Sequence, residues 1–179
     1  MTKRTSGEVV LGPRQRLFGW SLFLAGIVYG LVLGLFAFDG PIRVPQPFDD
    51  YASLPRRLLR FAHIACMALG LVNVLYGHEI DRLALSERWR RFGSHALVAS
   101  GTLMPILLTL AAFRIGWKFL LPIPGLAAFA SIVVLVVGLA QFTAKPRALA
   151  SALSADRVPG VAPRAARREA ASVSERAER

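Results

Sequence analysis

His63 is the side chain in this sequence with the plainest chemical use. Arg56 and Arg60 precede it by seven and three residues in RRLLRFAH. At ~3.6 residues per turn all three share one face of a helix. An imidazole beside two guanidiniums suits an anionic or electron-rich head group such as a propionate, a phosphate or a quinone ring. The imidazole alone suits haem iron. A plainer use competes with these. Arginines ending an apolar helix reach lipid phosphates or nearby carboxylates, here Asp49 and Asp50, and a histidine one turn further in bonds a neighbouring helix. The plainer use is the expectation.

Asn73 is the second candidate. His63, Cys66, Gly70, Asn73 and Gly77 are spaced three, four, three and four residues apart, which draws one small and polar stripe along an otherwise greasy helix. An amide in the middle of an apolar run needs a partner. The expected one is a hydrogen bond across to the next helix, where Thr102 and Thr109 stand, with Gly70 near the level of Thr102. The candidate ligand-binding set is therefore His63, Arg56, Arg60 and Asn73.

Other chemistry is poorly supported. His63 and His78 are ~22 Å apart along a helix at ~1.5 Å per residue, and His95 opens the returning helix near the His78 level. That separation counts against a bis-histidine haem site using His63 and His95. His78 and His95 match in depth but sit in a polar loop junction, and haem held by His63 alone, or with Met104, is the residual possibility, so no cofactor is expected. Three dispersed histidines and a single cysteine make no metal site. P-loop, GxGxxG, HExxH and GxSxG motifs are all missing from the sequence, so no catalytic residue is assigned and an enzyme is not expected. No Asp, Glu, Lys or Arg falls mid-way along an apolar run, which counts against a channel or transporter.

The elements that must position these residues are membrane spans. Only 18% of the residues are charged, against ~25% in soluble domains, and mean hydropathy is +0.48. Four apolar runs of about the ~20 residues needed to cross a bilayer lie near 17–38, 58–76, 95–113 and 119–142. The first is too long for the apolar core of a signal peptide, so it is read as a retained span. Gly26, Gly30 and Gly34 form two overlapping GxxxG repeats within it. Together with Gly70 and Gly77 they are the expected positions of close helix packing. Pro105 is expected to bend the third span. A short interfacial helix is plausible in the loop of residues 77–94. The fold class expected is an all-α four-helix transmembrane bundle, flanked by a basic tail at residues 1–16 and a basic disordered tail at residues 143–179.

Sixteen of the twenty-two Lys and Arg residues fall in the two tails and the second loop. The positive-inside rule then sets both termini in the cytoplasm, in a bacterial inner membrane. The net charge of +11 is explained by this topology, and nucleic acid is not an expected partner. Expected partners are the lipid bilayer, other membrane helices, and anionic lipid at the C-terminal tail. The role favoured by sequence is a non-catalytic subunit or scaffold of a membrane complex. The rival is a haem- or quinone-binding redox module built on His63, Arg56 and Arg60.

Overall fold

The computed structural model describes residues 10–37, 40–83 and 85–155, with side chains described as far as residue 142. Four long helices follow one another: α1 (Gly12–Gly34), α2 (Leu54–Glu79), α3 (Glu87–Phe113) and α4 (Pro122–Ala155). Short 3-10 turns, Ile80–Arg82 and Ile115–Leu120, lie after α2 and before α4. All four helices are long and apolar enough to cross a membrane, so the all-α four-helix architecture stands. The residues up to Gln141 form one compact unit and a second begins at Phe142.

Several boundaries move. Residues 12–16, expected in a tail, open α1, with Pro13 in its first turn where the missing N–H costs nothing. The interfacial helix expected within 77–94 is instead the first two turns of α3, which starts at Glu87 after Ser86. Helix α4 runs on to Ala155 through residues expected to be disordered. Its alanine-rich composition there explains the continuation, because alanine is the strongest helix former. Residues 156–179 lie outside the described residues. Pro105 sits inside α3, and the Thr109 hydroxyl donates to its carbonyl at 2.8 Å.

Helices α1 and α2 form an antiparallel hairpin whose seam repeats every seven residues. Gly12 faces Gly77, and Gly19 faces Gly70: a Cβ at Gly19 would stand 2.7 Å from the Gly70 carbonyl, and one at Gly70 2.9 Å from the Gly19 carbonyl. Backbone here touches backbone, which only glycine permits. The next step pairs Gly26 with His63, whose Nδ1 lies 2.8 Å from the Gly26 carbonyl. The contact thus follows heptad positions rather than the GxxxG spacing. Gly26 and Gly30 do face α2, but nothing approaches within 4 Å of a Cβ built on Gly34.

Polar groups inside this seam are joined across three helices. Ser94 of α3 donates to Gln15 Oε1 of α1, Gln15 Nε2 donates to Asn73 Oδ1 of α2 at 2.6 Å, and Asn73 Nδ2 donates to the Leu69 carbonyl at 2.8 Å. Each amide oxygen accepts and each amide nitrogen donates, so the chain of bonds runs in one consistent direction. Asn73 therefore finds Gln15, not Thr102, which bonds back to the Val98 carbonyl of its own helix. At the same end Asp81 accepts from the amides of Leu11 and Gly12, both at 3.0 Å. A carboxylate there neutralises two of the free N–H groups that begin α1 and suits its positive dipole end.

Two apolar clusters complete the core. Leu11, Tyr76, Ile80, Leu83 and Leu97 form one, against which Leu135 of α4 packs. Leu58, Ala62, Leu108, Ala111 and Ala112 form the other. Ser131 and Val134 of α4 are also buried. The outward surface is apolar along every helix, including Leu24, Leu31, Leu75, Ile106, Phe129 and Val136, as lipid requires.

Candidate functional site

His63 is fixed by its first nitrogen and leaves the second unused. The Gly26 carbonyl can only accept, so Nδ1 carries a proton, and in the neutral imidazole Nε2 presents a lone pair. Nothing among the described residues bonds Nε2. The ring fits because residue 30 is glycine: a Cβ there would stand 2.5 Å from His63 Cε1 and 3.1 Å from Nε2. The imidazole thereby acts as a wedge. It takes the seam position that glycine holds at Gly70 and Gly77, and one turn further along α1 nothing stands within 4 Å of a Cβ built on Gly34.

The space beyond the wedge is a cavity of about 540 Å³, within the usual range for small-molecule sites. Its walls come from the end of α1 (Tyr29, Leu33, Gly34, Phe36), the loop at Val44–Tyr51, the start of α2 through His63, and the end of α3 (Thr109, Phe113). Most of that lining is apolar. Phe48 of the loop meets Phe113 edge-on at 5.3 Å between ring centroids, tying the loop to α3. On the far wall the Tyr29 hydroxyl and Thr109 Oγ1 are 3.0 Å apart. Thr109 spends its proton on Pro105, so Tyr29 is the donor.

Arg56 and Arg60 stand at the rim, both half-buried. Arg56 donates to the Phe36 carbonyl at 2.9 Å, and at longer range to those of Phe48 and Asp49. It straps the end of α1 and the loop to α2. Arg60 donates to the Tyr51 carbonyl at 3.3 Å. Both guanidinium carbons lie over the Tyr51 ring, at 4.9 Å for Arg56 and 4.2 Å for Arg60, a favourable cation–π arrangement. Asp49 and Asp50 do not pair with them. Their carboxylates accept from Gln46, Asp50 N and Ala52 N, shaping the turn.

Of the four candidate ligand residues, three converge: His63, Arg56 and Arg60 line one cavity. Asn73 does not join them. It is fully buried in the Gln15–Ser94 network, ten residues and ~15 Å of helix away. His78 and His95 are exposed elsewhere, Met104 packs beside Leu58 and Ala62, and the described residues hold no cluster of three metal-ligating side chains. Tyr29, Tyr51, Phe48 and Phe113 are lining residues that sequence reasoning missed. Aromatic side chains at span ends resemble interface anchors, and no local signal distinguishes them from wall residues. Compared with known proteins, the chain matches no family model, no curated protein and no solved structure.

Proposed function

We propose that this protein is a non-catalytic module of a bacterial inner membrane that takes an amphiphile from the bilayer into the cavity behind His63. The observation that carries this is the imidazole wedge: one nitrogen is committed to Gly26, and the other has no partner among the described residues, beside an apolar space that the exposed Gly34 helps to line. A hydroxyl would donate to Nε2 of the neutral ring and an anionic head would accept from Nε2 of the protonated one, while the hydrocarbon filled the apolar space. The excess of Lys and Arg in the tails and second loop supports cytoplasmic termini, which would set the cavity on the opposite side of the membrane.

A scaffold role among other membrane helices is weakened as a separate reading. Apart from Gly34, the glycines and the polar stripe that would have served a partner are used within the α1–α2 hairpin. A partner would have to use the outer faces of α1 or α4, whose apolar side chains suit lipid equally well.

Native mass spectrometry of the protein extracted gently from its own membranes tests the proposal. An adduct of lipid-like mass is expected, lost in Gly34→Phe, which fills the cavity mouth without touching the helix seam. An adduct of haem mass with visible-range absorbance, lost in His63→Gln, would replace this reading with haem binding. Wild-type protein free of any adduct would overturn it.

A further inference from the structure

The two arginines carry a double charge that no acid among the described residues compensates, and this defines the head group the cavity takes. Ion pairs among the described residues join Arg82 to Glu79 and Arg91 to Glu87, all at the other end of the bundle. Among the described residues Arg56 and Arg60 have no carboxylate partner. The two acids nearest in sequence, Asp49 and Asp50, turn their oxygens to Gln46 and to loop amides. Two half-buried cations gathered over one aromatic ring repel each other, and an anion between them relieves that repulsion.

The donors to receive one are in place. Arg56 is held by three backbone carbonyls and is preorganised. Arg60 has five N–H donors and commits one, to Tyr51. Its planar fork is suited to two oxygens of a carboxylate or phosphate. Both arginines line the same cavity as His63, at its rim, while Leu33, Phe36, Leu59 and Phe113 supply apolar wall. The geometry points to an anionic amphiphile: a carboxylate or phosphate head bridged by Arg56 and Arg60, with its hydrocarbon chain in the cavity below. Neutral quinones and alcohols would meet the same apolar wall without satisfying the arginines. This inference rests on the cavity being a lipid-binding site, as proposed above, and adds the charge of the head.

The test uses the full-length protein in phosphatidylcholine nanodiscs with three probes: oleate, lysophosphatidate and oleyl alcohol, at a pH where the acids are ionised. At least one acid is expected to bind about tenfold more tightly than the alcohol, the scale of one charge-assisted contact. Preference for oleate would identify a free carboxylate, and preference for lysophosphatidate a phospholipid-type head. Arg60→Gln should abolish the preference and leave oleyl alcohol unchanged, whereas Arg60→Lys should retain part of it. Added salt should weaken acid binding to wild type and spare the alcohol, a readout that needs no variant. Equal binding of acids and alcohol, or an acid preference that survives Arg60→Gln or high salt, would overturn the inference and leave the cavity proposal standing. Failure of all three probes to bind would instead overturn the cavity proposal itself.

Discussion

The two ends of the α1–α2 hairpin obey the same seven-residue register and solve it differently. At one end glycine meets glycine, backbone lies on backbone, every amide of Gln15 and Asn73 is engaged in the Ser94 network, and Asp81 closes the helix start. At the other, the register brings a histidine where a glycine would continue the seam, and a cavity lies beside it. One end has no room for an added methyl group; the other has room for a ligand. The lesson is that a cavity in a membrane bundle can be opened by a single bulky residue in a small-residue repeat, with hydrogen bonds at its rim replacing the lost contact. Arg56 and its three carbonyls serve that purpose here.

Three substitutions sharpen or break this contrast. Gly70→Leu should have the largest effect, because its Cβ would stand 2.8 Å from Phe23 N and 2.9 Å from the Gly19 carbonyl, which are backbone atoms unable to step aside. A loss of about 3 kcal/mol is expected from such overpacking, read by denaturant unfolding in detergent. Asn73→Leu comes next. It strands Gln15 Nε2 inside the bundle and should cost about 1–2 kcal/mol; Gln15→Leu combined with it should cost less than the two changes summed. Gly34→Ala is the smallest. Nothing stands within 4 Å of the new methyl group, so the expected outcome is a gain of about 0.5 kcal/mol from reduced chain entropy in the unfolded state. Equal losses at positions 34 and 70 would erase the distinction between the ends.

The four spans were legible because apolar length is a physical requirement of the bilayer, which composition reveals directly. The convergence of His63, Arg56 and Arg60 was legible as well, since residues spaced at whole turns share a helix face whatever the fold. The seam was harder. Gly12 and Gly19 were missed because a four-residue glycine spacing was the pattern sought, whereas an antiparallel hairpin in register repeats at seven. Gln15 was missed for a related reason: it lies in a polar, basic stretch that reads as a tail, and its burial depends on Asn73, fifty-eight residues later. The partner of Asn73 was consequently misassigned to the neighbouring threonine. Nor was the cavity itself visible, because a void arises from where helices fail to meet, and sequence periodicity records only where they do.

The Asp81 bond to the start of α1 has a consequence for how the chain is made. The carboxylate lies sixty-nine residues after the Gly12 amide it receives, beyond the whole of α2. During synthesis the first span therefore emerges with its leading amides uncovered, and they are closed only once the second has been completed and has turned back beside it. The cap on α1 thus requires α2 to be complete, and the aspartate acts as a latch on the finished hairpin.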